Sequence, residues 1–304
     1  MRFKKLDLNL LVALDHMLTL QSVSAAADKM FMSQSAMSNA LTRLRHYFDD
    51  PLLVQVGKRM ELTPRAEAMK PAIRDILVRV EATIDTQPEF DPTIATRTFN
   101  VLVSDYTLRV LMPHVVAEMD RQGAQVKLNL LSQSDTPFLM VERGDADLLI
   151  TPDQFISDHH PSTLLYEDRY VVLACGKGPY ADIKMTLDIY QSAPHAVMIP
   201  PSKEAKPAEW KILVDRGIDR EVEMTTFSFS ALPHLLANTR RIATVHEQLA
   251  NIAMQTTSLA KYDLPFDAPP FRQFMQWHTY RDQDPGIVWL RDVFTRAAGQ
   301  LASS

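Results

Sequence analysis

The chain has 304 residues, of which 46% are hydrophobic and 23% are charged, a composition typical of globular proteins. This length exceeds what one compact core supports and predicts two or three domains. No apolar run in the sequence reaches the roughly 18–20 residues that span a bilayer, so we expect no membrane partner. A single cysteine, Cys175, excludes an intramolecular disulfide framework and a cysteine-based zinc site, which fits a cytoplasmic protein.

The net charge of −5 is unevenly distributed along the chain. Residues 1–65 contain nine Lys and Arg against six Asp and Glu, whereas residues 66–304 contain 23 against 31. The positive amino-terminal end favours contact with phosphate there, and the acidic remainder does not have to touch phosphate. The asymmetry is modest, so it supports a nucleic-acid partner without establishing one.

Three helices are predicted in the amino-terminal segment. Apolar residues at helical spacing predict a helix over 7–20. Ser22 and Ser33 are expected N-cap residues, the first of a short alanine-rich helix and the second of a third helix that ends near Asp49. Apolar residues recur every three to four positions in this third helix, which leaves its opposite face polar.

Two short strands and a long helix follow. The segment LLVQVGKRMEL predicts two strands around a turn that begins at Gly57. Thr63 and Pro64 predict the start of a helix that continues to about Thr86. Apolar residues recur along this helix at nearly coiled-coil spacing and favour a dimer seam, although burial against the chain's own carboxyl-terminal domain is the alternative. The predicted dimerisation residues are Met69, Ile73, Ile76, Val80 and Ile84.

Two short helices, a tight turn and a third helix with a polar face form a helix-turn-helix. Such a helix fits the DNA major groove, where each base pair presents a distinct pattern of donors and acceptors. Short polar side chains suit base edges, and basic side chains suit phosphate or guanine. The predicted DNA-binding residues are Ser33, Gln34, Ser35, Ser38, Asn39, Thr42, Arg43, Arg45, Lys58 and Arg59. The alternative is a three-helix cap whose polar face is merely solvated.

The segment LDLNLLVALDHMLTLQSVSAAADKMFMSQSAMSNALTRLRHYFDDPLLV resembles the amino-terminal domain of LysR-type transcriptional regulators. The resemblance is densest over residues 6–66 and is greatest to the nodulation-protein-D and NahR-like branch, which activates genes for flavonoid response or aromatic catabolism. The segment WHTYRDQDPGIVWLRDVF also resembles that branch. Family members often have proline where this chain has Ser35, and many have arginine where it has Gln55. Operator sequences therefore do not transfer from relatives.

The resemblance implies three parts and their partners. A winged helix-turn-helix is expected at residues 1–63, a linker and dimerisation helix at 64–89, and an effector-binding domain at 90–304. The family forms homodimers that assemble into tetramers and bind an interrupted inverted repeat in promoter DNA, and RNA polymerase is left open as a further partner. Such a regulator is not an enzyme and implies no cofactor and no metal.

Beyond a proline-flanked break, strands alternate with helices, a pattern typical of α/β folds with parallel sheets. The fold class is therefore α+β and α/β, with a carboxyl-terminal domain that resembles the two lobes of periplasmic binding proteins. Lobe I is expected at about residues 90–163 and 268–304, and lobe II at about 164–267. The last predicted strand is RQFMQWHTY, followed by a final helix over roughly 285–299.

Such lobes bind ligands between them, at strand ends and helix N-termini. Polar residues after predicted strands, with aromatic and imidazole groups nearby, favour a small aromatic effector. The predicted effector-binding residues are Ser104, Asp105, Tyr106, Ser132, Gln133, Ser134, Pro200, Ser202, Phe227, His246 and His278. Three alternatives stay open: Phe227 and Phe229 in the core, His246 as a hydrogen-bonded structural residue, and a non-aromatic effector or none.

Catalytic and metal-binding patterns are weak in this sequence. His159 and His160 lie in a predicted polar loop and are interpreted as solvated rather than metal-bound. The sequence contains no nucleotide-cradling glycine loop, no G-x-S-x-G elbow and no H-E-x-x-H helix. An enzymatic α/β protein with a structural amino-terminal cap is the rival hypothesis, and it lacks a catalytic constellation.

Overall fold

The computed structural model describes residues 6–57, 59–84, 89–133, 136–199 and 208–301. The chain divides into two compact units, Met1–Thr86 and Gln87–Ser304, and each has a hydrophobic core of its own. Among the described residues, no helix is both long enough and apolar enough to cross a membrane.

The first unit is a helix-turn-helix with a two-stranded wing and a long helix. Its helices are α1 (Leu8–Leu20), α2 (Val23–Lys29), α3 (Gln34–Phe48) and α4 (Pro64–Ile84), and its strands are β1 (Leu53–Val56) and β2 (Arg59–Leu62). The two strands pair antiparallel, as the sequence predicts. Buried apolar residues of α1, α3 and α4 form one core, which includes Leu14, Met37 and Ile73.

Local side-chain chemistry sets the helix boundaries of this unit. Ser22 and Ser33 each accept a hydrogen bond at 3.2 Å from a backbone N–H three residues later, and Thr63 does the same at 3.1 Å. Helix α3 ends at Asp49, whose left-handed conformation (φ 48°) stops the helical hydrogen-bonding pattern. The predicted N-caps are therefore confirmed.

The second unit contains eight helices and ten strands among its described residues. The helices are α5 (Asp105–Val110), α6 (Met112–Arg121), α7 (Phe138–Glu142), α8 (Leu187–Ser192), α9 (Ala208–Asp215), α10 (Leu232–Leu236), α11 (Glu247–Met254) and α12 (Pro285–Leu301). The strands are β3 (Thr98–Val103), β4 (Lys127–Ser132), β5 (Leu148–Pro152), β6 (Ser162–Asp168), β7 (Tyr170–Cys175), β8 (Pro194–Met198), β9 (Glu221–Thr226), β10 (Ile242–His246), β11 (Leu259–Asp263) and β12 (Phe271–Gln276).

These strands form two five-stranded sheets, one in each lobe. The lobe I sheet has the order β4-β3-β5-β12-β6, and the lobe II sheet has the order β11-β7-β10-β8-β9. Strands β3, β4 and β5 are mutually parallel, as are β8, β9 and β10. The two-lobed α/β prediction is confirmed. The predicted parallel pairings are present, but both sheets are mixed, because β12, β7 and β11 pair antiparallel with their neighbours.

The chain passes between the lobes twice within this unit. The first crossing follows β6 at Asp168, since all of β6 pairs within the lobe I sheet. The second connects β11 to β12, between Asp263 and Phe271. The first lobe therefore extends about five residues beyond the boundary near 164 that the sequence suggests. Both crossings end close to the carboxyl ends of β5 and β10, since Phe271 pairs with Asp168, Gln273 with Pro152 and Tyr170 with His246.

Candidate nucleic-acid interface and effector cleft

Helix α3 presents one buried and one exposed face. Met37, Ala40, Leu41 and Leu44 are buried, and they anchor the helix to the core of the first unit. The opposite face is polar and exposed, and it carries Ser33, Gln34, Ser35, Ser38, Asn39, Thr42 and Arg43. Seven of the ten predicted DNA-binding residues therefore share one exposed surface. We call this surface the α3 face.

Some hydroxyls of the α3 face already have local hydrogen-bond partners. Ser33 caps the helix and lies 3.0 Å from the Ser35 hydroxyl, and Thr42 donates to the Ser38 carbonyl at 3.0 Å. The side chains of Gln34, Ser38 and Asn39 have no such partner among the described residues. These amide and hydroxyl groups offer both donors and acceptors, which is what base edges require.

The two arginines of α3 have different environments. Arg43 is exposed and lies 3.4 Å from the exposed carboxylate of Asp7. Arg45 donates from Nε to the Pro51 carbonyl at 2.8 Å and from Nη2 to the Leu53 carbonyl at 2.7 Å. The Arg45 guanidinium therefore fixes the loop between α3 and the wing, and the structure does not bring it to the α3 face.

The wing contributes less to the described surface than the sequence suggests. Arg59 is exposed at the start of β2, opposite Val56, whereas Lys58 lies outside the described residues. Gly57 has φ +62°, a left-handed conformation that side chains rarely adopt, and this allows the tight turn. Arg59 is thus the wing cation available here for a phosphate.

The predicted dimer seam divides along the length of α4. Ile73 is buried in the core of the first unit, and Met69 packs against the same core. Ile76 and Ile84 are exposed, by 43% and 71%, and Val80 is half-buried. The amino-terminal part of the seam therefore serves the intramolecular core, while the carboxyl-terminal part remains open to solvent in the single chain.

Asp105 connects the two lobes at the carboxyl end of β3. Ser104 caps α5 by accepting from the Thr107 N–H at 3.2 Å, and Asp105 is the next residue. The Asp105 Oδ2 atom accepts hydrogen bonds from Ser228 Oγ at 2.6 Å and from Ser230 Oγ and N at 3.1 Å. Both serines lie in lobe II, between β9 and α10.

Aromatic rings meet between the lobes. The imidazole of His246 lies 4.4 Å from the ring of Tyr106 and 4.2 Å from that of Phe271, measured between centroids, and Tyr170 and Phe229 flank it. Burial lowers the pKa of His246 to about 3, so the ring is neutral near pH 7. The partly buried Phe229 packs against the core of this unit, which agrees with the alternative that this residue belongs to the core rather than to the effector site.

Asp168 holds the first crossing in place. It accepts hydrogen bonds from the Tyr106 hydroxyl at 2.7 Å and from the Gln248 N–H at 3.3 Å. Burial raises the pKa of this carboxyl group, and burial also raises the pKa of the Tyr106 phenol. Tyr106 therefore supports this first crossing, which we call the hinge, from the core side. Its side chain is nearly inaccessible to solvent.

Several buried polar atoms near the strand ends have no hydrogen-bond partner in the part of the chain that the structure describes. They are the Oγ1 of Thr151, the Oε1 of Gln273 and both ring nitrogens of His246. Thr151 lies at the carboxyl end of β5, Gln273 pairs with Pro152 beside it, and His246 ends β10. His246 contacts Phe271, and Gln273 lies on the same face of β12 as Phe271, two residues later. Buried polar atoms are normally paired, so the unpartnered atoms of His246 and Gln273 indicate a place where a ligand or water completes the bonding.

The other predicted effector residues are more dispersed. Ser132 is exposed at the end of β4, and Gln133 donates to the Ile150 carbonyl at 2.6 Å. Phe227 is 79% exposed, so it is not part of the core. The remaining predictions of Ser134, Pro200 and Ser202 lie outside the described residues.

His278 lies away from the cleft. Strand β12 ends at Gln276, which pairs with Leu149, whereas the cleft end of β12 pairs Gln273 with Pro152. Each strand residue adds about 3.3 Å, so Gln276 lies roughly 10 Å along β12 from Gln273. His278 follows Gln276 and therefore lies beyond the other end of the strand. There its ring is 4.6 Å from that of His160, and no group of acidic, histidine or cysteine side chains among the described residues could hold a metal. The structure therefore does not bring His278 together with the residues at the cleft end of β12.

Sequence reasoning missed several residues that meet at the cleft. Ser228 and Ser230 flank a phenylalanine directly after β9, and a serine pair after a strand is the signal that could have indicated them. Gln273, Thr151 and Asp168 lie within or at the end of strands, where the sequence pattern predicts only packing. Their proximity arises from antiparallel pairings that the sequence analysis did not predict.

A helix-turn-helix with a wing, joined to a two-sheet α/β unit, defines a DNA-binding regulator with a ligand-binding domain. Residues 8–67 match the family described as "Bacterial regulatory helix-turn-helix protein, lysR family", and residues 95–299 match the "LysR substrate binding domain". The chain belongs to the LysR family and is a transcriptional regulator with an effector-binding domain. Members of this family bind DNA and small-molecule effectors, and they oligomerise; they are generally not enzymes.

Similar proteins include several that are named nodulation protein D. Nodulation protein D 1 of Rhizobium tropici is 37% identical over 99% of this chain and 98% of its own length. Nodulation protein D 2 of Bradyrhizobium diazoefficiens is 36% identical over 100% of this chain and 92% of its own length. A probable transcriptional regulator from Pseudomonas aeruginosa has 28% identity and a TM-score of 0.66, with 97% of this chain and 98% of that one covered. Full-length OxyR from the same organism shares the fold, with a TM-score of 0.70 and 14% identity. The match covers 96% of this chain and 94% of that one.

Proposed function

We propose that this regulator activates genes for aromatic-compound catabolism or flavonoid response and is controlled by a small aromatic effector bound between its two lobes. The observation that carries the proposal is the buried imidazole of His246, whose two ring nitrogens have no partner among the described residues and whose ring lies against those of Tyr106 and Phe271. Stacking surfaces and a few convergent polar groups are what an aromatic ligand with polar substituents requires. The similarity to proteins named nodulation protein D supports the same class of regulated genes.

DNA recognition is assigned to the α3 face and to Arg59. The exposed polar residues of α3 would contact base edges, while Arg43 and Arg59 would contact phosphate. Lys58 remains a predicted contact from the sequence. A single helix-turn-helix reads few base pairs, so we assign the exposed part of α4, around Ile76 and Ile84, to a homodimer that reads an inverted repeat. Tetramers and contact with RNA polymerase are further parts of the proposal.

Control by the effector is a linkage between lobe arrangement and DNA binding. A ligand shifts an equilibrium only through its different affinities for the two states, typically by about 1–3 kcal/mol. Ser104, Gln133 and His246 are the described residues we assign to this response, with Thr151 and Gln273 added from the structure. Tyr106 and Asp168 support the hinge behind them.

A ligand screen tests the effector part of the proposal. The purified chain is heated with phenols, chlorinated aromatics, flavonoids or dicarboxylates, and each stabilising compound is added to a promoter footprint. We expect an aromatic compound to raise the melting temperature and to change the footprint. Stabilisation by dicarboxylates alone would overturn the aromatic assignment, and a footprint that no compound changes would identify an effector-independent regulator.

A further inference from the structure

Three hydrogen bonds across the cleft join elements that the crossing strands do not hold together. Asp105 begins α5 in lobe I, whereas Ser228 and Ser230 precede α10 in lobe II, more than 120 residues later. All three bonds converge on Oδ2 of the carboxylate, at 2.6 Å and 3.1 Å. Hydrogen bonds to an ionised group are stronger than neutral ones, so this contact favours one lobe arrangement.

The serines are positioned by their own loop. Ser228 Oγ also accepts from the Ala231 N–H at 3.2 Å and lies 3.1 Å from Ser230 Oγ. The loop thus presents two hydroxyls and one backbone N–H to the same carboxylate oxygen. Such convergence indicates a built contact rather than a chance meeting of exposed side chains.

Other polar contacts also join the lobes. Gln248 Nε2 in lobe II lies 3.5 Å from the Leu301 carbonyl in lobe I, and Asp168 makes the bonds at the first crossing. Asp168 sits on the crossing itself, so its bonds to Tyr106 and to the Gln248 N–H lie where the lobes remain covalently joined. Asp105 has no such tether to lobe II. Rotation of one lobe against the other can spare the hinge bonds but must break the bonds of Asp105 to Ser228 and Ser230.

We propose that Asp105, Ser228 and Ser230 form a latch that holds the two lobes in the arrangement described here. Opening the latch frees α5 and α10 to separate, and this changes the form in which the regulator binds DNA. The second statement rests on the proposed function, because it assumes that lobe arrangement controls the DNA complex. The latch itself is independent of it and can be measured without any ligand.

Hydrogen-exchange mass spectrometry of the full chain tests the latch. Asp105→Ala removes the acceptor from lobe I, and we expect amides of residues 229–236 in lobe II to exchange about tenfold faster. Ser228→Ala with Ser230→Ala should have a similar effect, and adding Asp105→Ala to it should change little more, since the groups act together. Asp120→Ala, which removes an exposed carboxylate from lobe I, is the matched control and should change nothing there.

Unchanged exchange in residues 229–236 of the Asp105→Ala variant would overturn the latch, and so would equal acceleration throughout both lobes, which signals general destabilisation. Asp105→Asn keeps an acceptor oxygen and should show a smaller acceleration than Asp105→Ala. On promoter DNA without any added compound, the footprint of the Asp105→Ala variant should differ from that of the wild-type chain. A wild-type chain without a footprint contradicts the proposed function, while the exchange data still decide whether the latch exists.

Discussion

Arg43 and Arg45 are two residues apart on α3, yet their guanidinium groups make different contacts. Arg45 donates to the carbonyl of Pro51, in the connection after α3, and to that of Leu53, the first residue of β1. Arg43 makes one exposed ion pair, a kind of contact that contributes little to stability. Sequence reasoning assigns both to DNA because the positions of the loop carbonyls are set by tertiary structure. The same limit applies to Asp105, whose partners are distant in sequence.

Substituting each arginine separately distinguishes these two roles. Arg45→Ala should destabilise the first unit by about 2 kcal/mol, because two hydrogen bonds from a charged donor are lost. Arg43→Ala should change stability by less than about 0.5 kcal/mol but should lower the salt dependence of DNA binding by about one counterion. Urea unfolding followed by hydrogen exchange in α1 and α3, with a DNA titration at several salt concentrations, measures both. A stable Arg45→Ala variant that has lost DNA affinity would contradict the structural role of Arg45.

His246 predicts a pH dependence of stability. Its pKa is lowered from 6.5 to about 3 by burial, so the unfolded chain takes up a proton at a higher pH than the folded one. Stability from this residue is complete above about pH 6.5 and is lost as the pH falls towards 3. Between pH 7 and pH 5 the loss should be about 2 kcal/mol.

Urea unfolding of the second unit at the two pH values checks this expectation. His246→Gln should be less stable at pH 7 but should show a smaller change down to pH 5, because the titrating group is gone. His159→Gln, at an exposed histidine of the same unit, is the control and should keep the wild-type pH dependence. An equal pH dependence in wild type and His246→Gln would show that the imidazole does not titrate as its burial requires.

At the scale of elements, local chemistry predicts helices better than strands. The caps at Ser22, Ser33 and Thr63 are short-range bonds, so the sequence predicts them and the structure confirms them. Strands β6, β10 and β11 and helix α8 were not predicted from the sequence. Strands β6 and β11 are edge strands, β10 is a five-residue central strand, and α8 has six residues, so each leaves little periodicity. The antiparallel course of β7 and β12 depends on pairing between distant segments, which periodicity does not encode.

The exposed part of α4 predicts how the chain dimerises. Ile76→Asp with Ile84→Asp places two carboxylates on the proposed seam without entering the core of the first unit. We expect dimerisation to weaken by about 3 kcal/mol or more, roughly 100-fold, because charges would be buried without partners. Light scattering after size-exclusion chromatography measures the mass. Ala68→Asp adds one carboxylate at another exposed position of α4 and should leave the dimer intact. A double variant that remains dimeric would place the interface elsewhere.

At the scale of the whole molecule, charge and function are separated between the two units. The first 65 residues carry the excess of positive charge, and the rest of the chain is acidic. This distribution suits a protein whose amino-terminal unit approaches phosphate and whose second unit does not. The overall fold class, the family and the α3 face follow from the sequence. The residues near the cleft do not follow from the sequence, because Asp105, Ser228, His246 and Gln273 belong to separate segments of the chain.

The most direct test of the account is a fluorescence-anisotropy titration of the purified chain on a duplex from its own promoter, at several salt concentrations. We expect salt-dependent binding by the wild type. Ser38→Ala with Asn39→Ala should weaken promoter binding by about 2 kcal/mol, roughly 30-fold, while binding to random DNA stays the same. Ser192→Ala, an exposed serine of the second unit, should match the wild type. Full promoter affinity of the double variant, or no salt-dependent binding by the wild type, would contradict recognition of DNA by the α3 face.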